Sequence, residues 1–207
     1  MDLISGPDGE DWRVPVTELQ ERQMGLARSL ADHGMESALI DDPVELYWLT
    51  GGRQNGILLI GAEGTGIDTT HWVRRSLRRA LFESGGSDCP HDTMLQPRMG
   101  ALEDSLIQRG CSTKPSMLSG KIPAERLSFI NSRIGSLNGE IENCTPLLYK
   151  LREVKSKWEI GMHRESGVIN KKMFEAVEEV GSAGKTELEI ASVAVSYTHL
   201  RAHETRG

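Results

Sequence analysis

His199 and His203 stand four residues apart, with Glu204 directly after the second. On a helix that spacing puts both imidazoles on one face, where two ring nitrogens can grip a divalent cation. The order here is His-Leu-Arg-Ala-His-Glu, however, and not the His-Glu-x-x-His in which an acid between the ligands serves as base. No metal site is assigned to it. Arg74, Arg75, Arg78 and Arg79 form the strongest charge run. A solvated helix face that pairs with Glu83 is the plain reading, and anion binding or a subunit contact is the sharper one. Gly61-Ala-Glu-Gly-Thr-Gly66 has the glycines of a phosphate loop but not its Lys-Ser/Thr end, so it reads as a hairpin turn. Cys89, Cys111 and Cys144 are odd in number and widely spaced, which fits three reduced thiols better than a disulfide framework or a zinc site. His33 falls near a helix end, His71 in a strand, His91 in a loop and His163 in a long helix. Each is read as a surface or capping residue.

The chain has 207 residues, with 24 Lys and Arg against 30 Asp and Glu, a formal net charge of −6. That balance argues against a nucleic-acid binder, which normally shows a basic excess. No apolar run approaches the ~18 residues of a membrane span. The longest core-like run is Gly56 to Ala62. The first residues are acidic and lack a basic-then-apolar leader pattern, so a cytoplasmic protein without membrane contact is expected.

The elements that would position these residues can be read from periodicity and punctuation. Residues 1–15 carry Gly and Pro among acids and read as a lead-in. Thr17-Glu-Leu-Gln20 fits a capping box ahead of a helix with Leu19, Leu26 and Leu30 on its apolar face, stopped at Gly34. Glu36 to Ile40 reads as a strand. Asp42 then caps a short helix with Pro43 at its first position, and Gly51-Gly52 ends it. Tyr47 and Trp48 on that helix are read as core. Residues 56–61 and 67–72 are expected to pair as strands around Glu63-Gly64. Beyond them, Arg74 to Phe82 reads as a helix, 93–95 as a strand and Leu102 to Ile107 as a helix. Ser116 to Leu118 reads as a strand, Pro123 opens a helix, and Ile141 sits in a last strand. Such alternation predicts an α/β domain. From Thr145 the texture becomes helical. Ser156-Lys-Trp-Glu159 is a second capping box, heading a long amphipathic helix from Trp158 to Val180, and Thr186-Glu-Leu-Glu189 caps another.

Three blocks carry a family resemblance. Thr17 to Leu49, with Arg22, Asp42-Pro43 and Tyr47-Trp48-Leu49-Thr50-Gly51, resembles the start of the creatinase/aminopeptidase P amino-terminal domain. Leu151-Arg-Glu-Val-Lys-Ser-Lys-Trp-Glu-Ile160 resembles the segment by which that family enters its catalytic domain. Gly184-Lys-Thr-Glu-Leu-Glu-Ile190 is similar to the next helix start. The resemblance spans roughly residues 14–195.

It implies a creatinase-type amino-terminal domain over 16–150, with a mixed sheet flanked by helices. The start of an incomplete pita-bread α+β domain follows over 151–195. Family members are Xaa-Pro aminopeptidases, prolidases and creatinase. In the peptidases two divalent ions (Mn, Co or Zn), held by carboxylates and a histidine, share a water that attacks the amide. Those ligands are expected beyond residue 195, so none is assigned in this chain and no cofactor is expected in it. Residues 196–207 resemble a translated sequencing-adapter tail and are expected to be non-native. The resemblance also implies a homodimer in the parent, acting on proline-containing peptides, with the loop Gly51-Gly-Arg53-Gln-Asn55 reaching the partner's active site. Arg53 would there hold a substrate carboxylate with its planar fork. An ordinary surface arginine is the competing reading. Two rival functions are a creatinase-like hydrolase of guanidino or amidine compounds and a non-catalytic pseudo-peptidase binding module. The lack of long acidic runs counts against the second.

Overall fold

A computed structural model describes residues 11–181 and 184–204. The chain divides into two compact units, one spanning Arg13–Val154 and one holding Lys155 onward. In the first unit the elements are α1 (Val16–Asp32), β1 (Ser37–Ile40), α2 (Pro43–Thr50), β2 (Gly56–Gly61), β3 (Thr70–Val73) and α3 (Leu77–Glu83). They continue with β4 (Asp92–Leu95), α4 (Leu102–Gln108), β5 (Ser116–Met117), α5 (Ala124–Arg133) and α6 (Thr145–Glu153). The second unit holds α7 (Lys157–Val180) and α8 (Glu187–Glu204).

The five strands form one mixed sheet in the order β4-β3-β2-β1-β5. β2 is antiparallel to β1 and β3, while β5 is parallel to β1 and β4 parallel to β3. This is the mixed sheet flanked by helices that the resemblance implies. The central strands β1 and β2 are buried at every position, which requires a cover on both faces. Ala38, Ile40, Leu58 and Ile60 meet Leu26 and Leu30 of α1, Leu46 and Leu49 of α2 and Leu148 of α6. Leu39, Ile57, Leu59 and Trp72 point to the other face, against Leu102 and Leu106 of α4 and Ile130 of α5. Alternation along each strand therefore sorts the apolar residues into two cores.

Several local expectations hold. Asp42 Oδ1 accepts from the backbone N–H groups of Val44 and Glu45, each at 3.0 Å, and so caps α2. Gly51 ends that helix at φ +70°, where a residue with a Cβ is disfavoured. Ser156 and Glu159 close their reciprocal capping box at α7. Thr186 and Glu189 do the same at α8.

Others shift. Thr17 lies inside α1, whose cap position is Pro15 with no side-chain bond, so the expected first capping box does not form. β3 starts at Thr70 rather than at Ile67. Thr65 folds its hydroxyl back onto the Ala62 carbonyl at 2.7 Å, holding the preceding segment in a loop. The helix expected from Arg74 begins only at Leu77, because Ser76 sits at φ +53°. Ile107 is exposed on α4. Ile141 is in no strand, since that segment meets β5 only through an isolated bridge between Met117 and Asn143. Trp48 is buried, but Tyr47, rotated ~100° from it around the helix, is exposed.

In the second unit, Trp158, Met162, Ile169, Met173 and Val177 line one half-buried side of α7. α8 extends as far as Glu204, into the segment expected to be a foreign tail. The side chains of His199, His203 and Glu204 and residues 205–207 lie outside the described residues.

Candidate functional site

The loop after α2 is held at both ends. Thr50, the last residue of α2, donates its hydroxyl to Leu46 O at 2.7 Å and accepts the Gly52 N–H at 3.3 Å, which sets the exit direction of the chain. The next N–H, of Arg53, donates to Glu83 Oε2 at 2.9 Å. Glu83 ends α3 and is buried, with its other oxygen taken by Arg79 Nε at 2.8 Å. At the far end of the loop the Arg74 N–H donates to Asn55 O at 2.9 Å. The backbone from Gly52 to Asn55 is thus fixed, while the Arg53 side chain stands exposed with no side-chain partner among the described residues.

The late start of α3 matters here. Because Ser76 breaks the helix, Arg74 and Arg75 sit on the connection from β3 and not on the helix face. They join Arg53, Gln54 and Asn55 around a cavity of about 320 Å³. The charge run therefore divides by role. Arg79 is committed to Glu83, as its spacing suggested. Arg74 and Arg75 flank the loop that carries Arg53. Three guanidiniums around one small cavity suit a carboxylate or another planar anion, which the guanidinium fork binds through two parallel hydrogen bonds.

Other expected positions resolve differently. His33 accepts its capping role, with Nδ1 2.8 Å from Ser29 O. His163 is exposed on α7. His71 and His91 are neither surface nor capping residues, since both are buried. Their ring centroids lie 5.8 Å apart, and His91 Nδ1 meets Gln23 Nε2 at 3.0 Å. Burial holds the His71 imidazole down to about 4. Burial, reinforced by neighbouring His71 and opposed by Asp92, holds His91 down to about 3. Nothing in the spacing of His71 and His91 signals this meeting, because it is made by the register of β3 beside β4. All three cysteines are unpaired. Burial raises the Cys111 and Cys144 thiols to about 11, so neither is a ready nucleophile.

Among the described residues no group of three or more His, Cys, Asp or Glu is placed to hold a metal ion. The described residues thus offer no ligand set for a dinuclear metal centre. No described helix is long and apolar enough to cross a membrane.

No protein-family profile matches this chain, and no curated protein matches it. Solved structures do. The Xaa-Pro dipeptidase from Bacillus anthracis is similar over 88% of this chain and 49% of its own, at 16% identity and a TM-score of 0.74. The X-Pro aminopeptidase from Thermotoga maritima is similar over 86% and 49%, at 18% identity and a TM-score of 0.71. The N-terminal domain of the cytoplasmic peptidase PepQ from Mycobacterium tuberculosis is covered over 98% of its length by 64% of this chain, at 18% identity and a TM-score of 0.53. The chain spans about half the length of the full peptidases it matches. Its fold is theirs over that half.

Proposed function

We propose that this chain is the amino-terminal part of a Xaa-Pro aminopeptidase or prolidase of the creatinase/aminopeptidase P family. In this reading Arg13–Val154 is the creatinase-type domain, α7 and α8 open the pita-bread domain, and the metal ligands belong to the remainder of the parent. The observation that carries it is the fold: a TM-score of 0.74 over 88% of this chain against only 49% of a dipeptidase chain. The three sequence blocks at Thr17–Leu49, Leu151–Ile160 and Gly184–Ile190 support the same assignment independently.

The work of the domain is then indirect. It shapes the substrate channel and makes the dimer, and its fixed loop presents Arg53 to a substrate carboxylate at the partner's active site. Two divalent cations in the parent would supply the activated water. What these residues contribute is orientation. Anchoring the Arg53 backbone on buried Glu83 lowers the entropy lost when its guanidinium closes on an anion.

The purified chain, given manganese and Xaa-Pro dipeptides, is expected to show no turnover. The same residues in a protein extended by the downstream region are expected to restore it. Turnover by the isolated chain, with contaminants excluded, would overturn the proposal.

A further inference from the structure

Several cations of the first unit hold an acid. Arg79 is paired with Glu83, Arg109 with Asp92, Lys121 with Glu45 and Arg126 with Asp41. Arg53, Arg74 and Arg75 differ. All three are exposed, and among the described residues none of their side chains has a hydrogen-bond or ion-pair partner. The chain carries a formal net charge of −6, so acids are not scarce. Three open guanidiniums at one place are reachable from solvent and uncommitted.

The backbone gathers them. Ser76 at φ +53° keeps the chain from entering α3 directly after β3, which takes Arg74 and Arg75 off the helix face. That left-handed conformation costs free energy for a residue with a Cβ and persists only where its surroundings impose it. The Arg74 N–H donates to Asn55 O at 2.9 Å, and the Arg53 N–H to Glu83 Oε2 at 2.9 Å, so the two segments are tied to each other and to the end of α3. The cavity between them, about 320 Å³, is walled by Arg53, Gln54, Asn55, Arg74 and Arg75, with no acid and no apolar side chain among them. A cleft lined by one sign of charge concentrates counter-ions from solution.

A single carboxylate brings one negative charge and two oxygens to three guanidiniums. A phosphoryl group brings a charge of about −1.5 to −2 and three acceptor oxygens near pH 7, one for each guanidinium. A zwitterion or an apolar ligand finds neither an acid nor an apolar wall in this cavity. We propose that Arg53, Arg74 and Arg75 form a binding site for the phosphoryl group of a small polar molecule, carried as free phosphate or as a phosphate monoester. The guanidiniums take its terminal oxygens, and Gln54 and Asn55 line the space left for a polar remainder. Binding does not depend on the peptidase reading. Its consequence there, competition with a peptide carboxylate for Arg53, rests on that reading.

Titration calorimetry on the whole chain at low salt tests this with three probes: inorganic phosphate, glycerol 3-phosphate and glycerate, which replaces the phosphoryl group by a carboxylate. At least one phosphate probe is expected to bind with a Kd of about 1 mM or tighter, and the tighter of the two identifies the free ion or the monoester as the source. Glycerate is expected to bind at least about tenfold more weakly, the loss of one charge-assisted contact. Arg74→Met and Arg75→Met, both exposed changes checked for folding by circular dichroism, are each expected to weaken the phosphate probe about tenfold. Lys172→Met, which removes the same charge from an exposed position of α7, is expected to change it less than about twofold. No binding of either phosphate probe, glycerate binding as tightly as they do, or an equal loss in Lys172→Met would each overturn the proposal. No peptidase activity enters these readouts, so a failure here is distinct from a failure of the proposed function.

Discussion

His71 and His91 meet edge to face inside the first unit, their ring planes at 64° and their centroids 5.8 Å apart. Neither nitrogen of His71 nor Nε2 of His91 has a hydrogen-bond partner among the described residues. Two imidazoles so enclosed are tolerated only uncharged.

Acid should therefore destabilise this unit earlier than carboxylate titration alone would. In the fold the two rings titrate at about 4 and about 3. In the unfolded chain both take protons near pH 6.5. As pH falls below about 6.5 the unfolded state binds the extra protons, so folding stability drops by about 1.4 kcal/mol per pH unit for each histidine. Above that pH the pair adds no slope. Glu36 is also lowered; burial opposes the shift and hydrogen bonds from Ser112 and Thr113 outweigh it. Its contribution has the same sign but enters only as pH approaches the ordinary carboxylate range. Urea midpoints measured between pH 7 and 5 are expected to fall, and His71→Leu to remove about half of that slope. A flat profile over this window would contradict the burial of the pair.

Glu45 should be the most sensitive charged position. It is fully buried on α2, and its Oε1 accepts from Lys121 and from Arg152 of α6. For Lys121, burial lowers the ammonium pKa, but the Glu45 hydrogen bond and charge, aided by Asp42, hold it above its ordinary value. Glu45→Ala leaves two partly buried cations without their shared carboxylate. The expected loss is about 3 kcal/mol, the low end for breaking a buried pair, because both cations keep some contact with water. Glu45→Gln should lose less. Chemical denaturation measures both, and a loss in Glu45→Ala no larger than that of a surface substitution would show that the network contributes little.

Arg53 and Glu83 should separate function from folding. The Arg53 side chain is exposed and only its N–H is anchored, so Arg53→Ala is expected to change stability by no more than about 0.5 kcal/mol. Glu83→Ala removes the acceptor for that N–H and the partner of Arg79, and should cost about 1–3 kcal/mol. In the longer peptidase proposed above, Arg53→Ala is expected to raise KM about tenfold for substrates with a free carboxylate, with little change for amidated ones. Equal KM values for wild type and variant would remove Arg53 from the substrate site.

Much of the architecture is legible in the chain itself. The buried run Gly56 to Gly61, the Asp42-Pro43 start and Gly51 stop of α2, and the Ser156 and Thr186 capping boxes are local instructions. The caps and stops are satisfied within a few residues, so their outcome depends little on the rest of the fold, while the apolar run marks a buried strand without naming its partners. The class of the domain follows from their alternation, and the candidate loop was reachable through its resemblance to a known family.

What only the tertiary structure decided are the meetings of distant residues. Glu83 anchoring Arg53, Lys121 and Arg152 converging on Glu45, and His71 facing His91 each join segments far apart in sequence. Their geometry is set by strand register and helix docking, for which no local pattern exists. Short-range propensity fixes where elements begin and stop. Which polar groups are buried together is settled by packing both faces of the sheet at once, and that is where the candidate site acquires its anchor.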